Sequence, residues 1–99
     1  MDSWLNTLSL AQKAQKVVYG KKVLETIRAN KAYLVLVASD ASDNTKKQMF
    51  DKSSFYQIAC FEVTDSKMLS NAVGKVGRMY LALTDENFAK MIIKKLEEE

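Results

Sequence analysis

Residues 33–38 form an unbroken apolar run, Tyr33, Leu34, Val35, Leu36, Val37 and Ala38, which stops abruptly at the small residues Ser39, Asp40, Ala41, Ser42 and Asp43. The run is rich in β-formers and does not alternate. A half-buried strand shows an apolar–polar period of two, whereas a continuous apolar run fits a strand covered on both faces. The small residues after it suit a strand-to-helix turn. The stretch therefore predicts a central strand in a compact α/β sandwich, with the loop of chemical interest beginning at Ser39.

The flanking sequence supplies layers to cover such a strand. Helical spacing of Trp4, Leu5, Leu8 and Ala11 predicts a helix over residues 3–16. Val17, Val18 and Tyr19 make a short strand that Gly20 breaks. A second helix is expected from Lys21 to about Ala29, with Val23, Leu24 and Ile27 inward and Lys22 and Glu25 spaced for a surface ion pair. Asn30 is its expected end. Ser42, Asp43 and Asn44 compete to cap a third helix over residues 45–56. A third strand is expected over residues 58–63, and a short helix over 65–73 with Met68, Leu69 and Ala72 inward. Gly74 to Arg78 reads as a loop and Met79 to Leu83 as the fourth strand. Thr84 or Asp85 caps a last helix carrying Phe88, Ile92 and Leu96, whose acidic end at residues 97–99 is expected to fray. Alternating strands and helices predict parallel, right-handed crossovers.

With 99 residues, no proline and three glycines, the chain is expected to be a single domain over residues 1–99. No apolar stretch nears the roughly 20 residues that span a bilayer, and no secretion signal is visible. A cytoplasmic protein without a membrane partner is the expectation. The single cysteine, Cys60, lies in an apolar run and reads as a buried thiol. Histidine is absent, which removes the usual acid–base group, a serine triad and any Cys/His metal site. Asp40, Asp43, Asp65, Asp85 and Glu86 suit capping or loop roles, and Ser39 and Ser42 need no nucleophilic role. The expectation is no enzyme, no catalytic residue, no metal and no cofactor.

Charge placement says more than the net charge of +3. Lys13, Lys16, Lys21, Lys22, Arg28 and Lys31 face only Asp2 and Glu25 in the first third, a basic field that attracts nucleic acid or another acidic partner. Gly20, Lys21 and Lys22 open a helix, where free N–H groups can meet a phosphate. The longer P-loop pattern is missing, and Gly74, Lys75, Val76 and Gly77 are no dinucleotide fingerprint. If the Gly20 turn, the 39–44 turn and the 74–78 loop meet at one end, Lys21, Lys22, Lys75 and Arg78 would surround backbone donors and small side chains. Such a surface suits a sharply bent RNA backbone, with phosphate contacts supplying affinity and base edges supplying specificity. Tyr19, Tyr33, Phe55, Tyr56 and Phe61 offer rings for base stacking, although packing is the simpler reading for most.

Several runs together carry a resemblance. They are Lys16-Val17-Val18-Tyr19-Gly20, the stretch from Lys31 to Ser42, Asn44-Thr45-Lys46-Lys47, Leu69-Ser70-Asn71-Ala72-Val73-Gly74-Lys75, and Thr84-Asp85-Glu86-Asn87-Phe88-Ala89. The chain resembles the ribosomal L7Ae/L30e family over almost its whole length, most closely the small bacterial members. The resemblance implies a three-layer α-β-α sandwich around a small mixed four-stranded sheet. It also implies non-catalytic binding of structured RNA, kink-turns or related internal loops, with ribosomal RNA among the candidate partners and a monomer when free.

The implied RNA surface joins the start of the second helix, Gly20, Lys21, Lys22 and Glu25, to the turn at Ser39 and Asp40 and to the loop Val73, Gly74, Lys75, Val76, Gly77 and Arg78. Val73 and Val76 would press on an extruded nucleotide, Gly74 and Gly77 would let backbone N–H groups approach, and Lys75 and Arg78 would pair with phosphates. Aligning back from Lys31-Ala32-Tyr33 sets Tyr19-Gly20-Lys21-Lys22 where archaeal and eukaryotic members carry Gly-Thr-Asn-Glu, and Glu25 where they carry a lysine. Asparagine and glutamate can both accept at the edges of sheared G·A pairs; lysine only donates. An adapter that binds protein on the same fold, its RNA surface altered, is the competing expectation.

Overall fold

The computed structural model describes residues 3–98. In chain order the elements are α1 (Ser3–Lys13), β1 (Val17–Tyr19), α2 (Lys21–Arg28), β2 (Leu34–Val37), α3 (Asp43–Phe55), β3 (Ala59–Glu62), α4 (Ser66–Ala72), β4 (Tyr80–Leu83) and α5 (Glu86–Glu98). Local chemistry sets most boundaries. α1 stops short of residue 16 because Gln15 turns left-handed at φ 61°, and Lys16 N–H closes back on Ala11 O at 2.9 Å. Asn30 ends α2 in the same way, at φ 57° with Lys31 N–H on Thr26 O at 3.0 Å. Of the three cap candidates for α3, Ser42 takes the position, its Oγ accepting from Thr45 N–H at 3.1 Å, so the helix starts earlier than residue 45. Asp65 caps α4 through Met68 N–H at 2.8 Å, and Asp85 serves Phe88 N–H at 2.9 Å. α5 runs through Glu98; Glu99 lies outside the described residues.

The sheet has four strands in the order β1-β4-β2-β3. β2 and β3 are parallel, with Leu34 opposite Ala59. β4 is antiparallel to both its neighbours, pairing Leu81 with Tyr19 and with Leu36. Parallel crossovers are thus correct for β1, β2 and β3 and wrong for β4. The reason lies in α4. Ser66 at its start is bound to Asp40 after β2, and Ser70 near its end is bound to Arg78 before β4. The connection stays at the end where β3 leaves the sheet, so the next strand must run back.

Both faces are covered. Val17, Leu34, Leu36, Leu81 and Leu83 pack against Trp4, Leu5, Leu8 and Ala11 of α1, Leu69 of α4, and Ala89 and Ile92 of α5. Val35, Val37 and Ala82 pack against Val23 and Ile27 of α2 and Met49 of α3. The predicted central strand is central, and Leu34, Val35, Leu36 and Val37 are all fully buried. β3 is an edge strand and only half-buried. Met68 is exposed rather than inward; Leu69 and Ser70 take the inner face of α4. No helix among the described residues is long and apolar enough to cross a membrane.

Candidate functional site

Because β4 opposes the other three strands, the turns after β1, β2 and β3 and the loop before β4 all lie at one end of the sheet. Main-chain bonds lace this end together. Ala38 N–H donates to Met79 O at 2.7 Å, Ser39 N–H to Thr64 O at 2.8 Å, and Val63 N–H to Val37 O at 2.9 Å. The Gly20 turn, the 39–44 turn and the 74–78 loop meet there, as the sequence suggested. Gly20 and the residues Gly77, Arg78, Met79 and Tyr80 line one open groove of about 160 Å³. On the other side of the loop, Ser66, Lys67, Ser70 and Asn71 of α4 face Lys75, Val76 and Gly77 across a groove of about 360 Å³. The loop is a ridge between two grooves.

Gly20 enters α2 at φ 58°, ψ −134°, a conformation that glycine alone adopts without strain. It offers no side-chain cap; Val23 N–H closes back on Gly20 O at 3.0 Å, which leaves the N–H groups of Lys21 and Lys22 as the open donors of the first turn. Val23 and Ile27 are buried on the inner face of α2, which leaves Lys21, Lys22 and Glu25 exposed. The expected Lys22–Glu25 ion pair is not formed. Among the described residues the ion pairs are Lys46–Glu62 at 3.5 Å, Lys47–Asp51 at 3.0 Å and Lys90–Glu86 at 3.5 Å. Lys21, Lys22 and Lys75 therefore carry charge that no carboxylate among the described residues neutralises.

In the loop, Gly74 and Gly77 take φ 66° and 69°. Val73, expected to face a nucleotide, is only 3% exposed because it packs in the core with Leu69; Val76 is 91% exposed and is the loop's outward apolar group. Ser70, itself 3% exposed, holds the loop from beneath. Its Oγ accepts from Arg78 N–H at 2.8 Å and donates to Arg78 O at 3.3 Å, while its carbonyl accepts Lys75 N–H at 3.0 Å. The Arg78 guanidinium carbon sits 5.3 Å from the centroid of the Tyr19 ring, and Arg78 Nε is buried without a hydrogen-bond partner. Tyr19 in turn donates its hydroxyl to Gln12 Oε1 of α1. Burial raises the Tyr19 hydroxyl pKa, with Arg78 pulling the other way.

Ser39 and Asp40 are exposed at the same end. Both Asp40 oxygens are occupied: Oδ1 accepts Ser66 N–H at 2.8 Å and Oδ2 accepts Ser66 Oγ at 2.7 Å. These bonds hold its carboxyl below the ordinary 3.8. Asp40 is therefore a brace for α4. Of the aromatic candidates, Tyr33, Phe55 and Tyr56 stand at the opposite end, before β2 and at the end of α3, and cannot share a platform with this loop. Sequence reading missed Ser66 and Ser70. The one signal for Ser70 was a small polar residue beside Leu69 on the apolar side of a short helix. Among the described residues no cluster of three or more His, Cys, Asp or Glu side chains could hold a metal ion.

Comparison with known proteins bears on this arrangement. The model of the ribosomal protein L7Ae/L30e/S12e/Gadd45 family matches residues 2–93. A curated relative, RNA-binding protein YlxQ of Bacillus subtilis, is 39% identical over 95 residues, covering 95% of each chain. The protein of the same name from Enterococcus faecium is 39% identical over 87 residues, covering 87% of this chain and 84% of its own. Among solved structures, a protein of unknown function from Bacillus halodurans superposes with a TM-score of 0.95 at 31% identity, covering 98% of this chain and 99% of the other. The Giardia lamblia 15.5kD RNA binding protein shares the fold with a TM-score of 0.80 at 20% identity, over 95% of this chain and 84% of its own.

Proposed function

We propose, from the premise that this chain belongs to the ribosomal protein L7Ae/L30e/S12e/Gadd45 family, that it binds structured RNA without catalysis and takes a sharply bent backbone, of the kink-turn type, at the loop end of its sheet. The observation that carries the reading is the meeting of the α2 start with the loop before β4 across one groove, lined by Gly20 and Gly77 to Tyr80. Two relatives at 39% identity are named for RNA binding, which supports the ligand class.

The division of labour follows from chemistry. Lys21, Lys22 and Lys75, free of ion pairs among the described residues, face the phosphates. Lys21 or Lys22 can donate to guanine O6 or N7 from the helix start. Val76, exposed at the crest of the loop, packs against a nucleotide turned out of the helix. Glu25 lies on the same exposed side of α2 and repels phosphate, so the RNA turns away from the second turn of this helix. Ribosomal RNA is the first natural pool in which to seek such bends.

The test is a titration against a labelled kink-turn RNA at several salt concentrations, with a straight duplex of equal length as control. Preference for the bent RNA is expected. Equal and strongly salt-sensitive binding of both would reduce the surface to a basic patch. No binding of either would remove the kink-turn reading and move the search to other RNAs or to protein partners.

A further inference from the structure

We infer that Arg78 is a positioning residue of the RNA surface rather than a phosphate ligand: Ser70 holds its main chain from α4, Tyr19 holds its guanidinium from β1, and the two anchors fix the 74–77 loop in the shape that meets a bent RNA. This rests on the RNA-binding reading above and adds to it the device that sets selectivity.

The loop needs such a device. Two of its residues, Gly74 and Gly77, adopt positive φ, and glycine is the residue with the most backbone freedom to lose. Few contacts hold its crest, since Val76 is almost fully exposed. What fixes it is at its ends. At the first end Val73 is buried, and Gly74 N–H and Lys75 N–H close back on Asn71 O and Ser70 O at 3.2 and 3.0 Å. At the second end Ser70 Oγ uses both its acceptor and its donor capacity on Arg78, at 2.8 and 3.3 Å. One buried hydroxyl therefore grips the loop where it enters β4.

The Arg78 side chain supplies the second grip. A guanidinium facing an aromatic ring is attracted by the ring's quadrupole, and the attraction grows when the pair is shielded from water. Arg78 lies 5.3 Å from the Tyr19 centroid with its Nε buried. Tyr19 is a firm anchor: it pairs with Leu81 in the sheet, and its hydroxyl is held by Gln12. The chain of contacts runs from α1 through Tyr19 and Arg78 to Ser70 on α4, and it spans the ridge from beneath. α4 is itself pinned at its first turn by Asp40. Lys75, exposed and without an ion pair among the described residues, is left as the loop's phosphate contact.

The experiment compares wild type, Tyr19→Leu, Tyr19→Phe and Ser70→Ala for the ratio of kink-turn to straight-duplex affinity and for the salt slope, with folding followed by far-UV circular dichroism. Tyr19→Leu changes no charge, so the salt slope should stay as in wild type, while the preference for bent RNA falls roughly three- to tenfold. Tyr19→Phe keeps the ring and should keep the preference. Ser70 is only 3% exposed and its hydroxyl is engaged on both sides by Arg78, so a matching loss in folded Ser70→Ala points to the loop rather than to a lost RNA contact. Undiminished preference in Tyr19→Leu would overturn the inference alone and return Arg78 to the phosphates; if Ser70→Ala does not fold, the Tyr19 pair decides. A wild-type protein with no preference overturns both this inference and the kink-turn reading beneath it.

Discussion

Replacing Gly20 by alanine should destabilise the protein through the backbone alone. Gly20 sits at φ 58°, ψ −134°, and a Cβ added there would meet no heavy atom within 4 Å. No clash with a neighbour therefore contributes, and the cost is the residue's own strain, of order 1–3 kcal/mol. A stiffer unfolded chain returns about 0.4–1 kcal/mol of it. The net loss is roughly 1–2 kcal/mol. With urea slopes of about 1–3 kcal/mol per molar for small domains, the unfolding midpoint should drop by roughly 0.3–2 M at unchanged slope. Asparagine, often a substitute for glycine in left-handed turns, should not rescue it, because the left-handed helical region has ψ near +30° to +60° and Gly20 does not. Since the strained residue leads directly into Lys21 and Lys22, the same variant should bind bent RNA more weakly. An alanine variant with an unchanged or higher urea midpoint would refute the assignment of this turn as glycine-dependent.

Lys75→Ala should lower the magnitude of the salt slope of RNA binding by about one, the signature of a single lost phosphate contact. Lys47→Ala, on α3 and paired with Asp51, should leave the slope unchanged. Asp40 has its folded-state pKa lowered from 3.8 by the Ser66 hydroxyl and N–H. Its stabilising contribution is therefore complete above that ordinary value and is lost as pH falls through the lowered one. Urea midpoints measured down the acid limb should fall less steeply in Asp40→Asn, and coincident acid limbs would refute the brace. Burial pushes the Cys60 thiol from 9.0 up to about 11, so at a given pH its thiolate fraction is about a hundredfold below that of an ordinary thiol. Iodoacetamide should alkylate it correspondingly slowly, and a rate matching glutathione would contradict the burial.

The parts of this fold legible in the sequence are those where one local rule has no rival. The run from Leu34 to Val37 reads as a doubly covered strand because it lacks polar breaks, and all four side chains are fully buried. The helix starts near residues 42, 65 and 85 were legible too, but the caps themselves had rivals, and the structure chose Ser42 over Asp43 and Asn44, and Asp85 over Thr84, each through a bond made within three residues. The run at residues 58–63, apolar but for Glu62, became an edge, because a mostly apolar run does not state how many neighbours its strand has. Met68 misled for a related reason. In a helix of seven residues two apolar groupings compete, and the packing of α4 against α1 chose Leu69 and Ser70 over Met68.

The candidate site divides along the same line. Its charges and glycines were visible, since Lys21, Lys22, Lys75, Gly20 and Gly77 declare themselves by type and by their place between elements. Its internal bonds were not. Arg78 and Tyr19 are far apart in sequence and come together only because β4 inserts antiparallel between β1 and β2. That reversal is also what carries the 74–78 loop beside Gly20 instead of to the far end of the sheet. Had β4 followed the parallel pattern that strand–helix alternation suggests, the basic loop and the α2 start would stand at opposite ends. No single RNA bend could then touch both. The deviation from the simplest α/β rule is therefore the step that turns two ordinary basic turns into one surface, and the short α4, pinned by Asp40 at its start and gripping Arg78 through Ser70 near its end, is what enforces it.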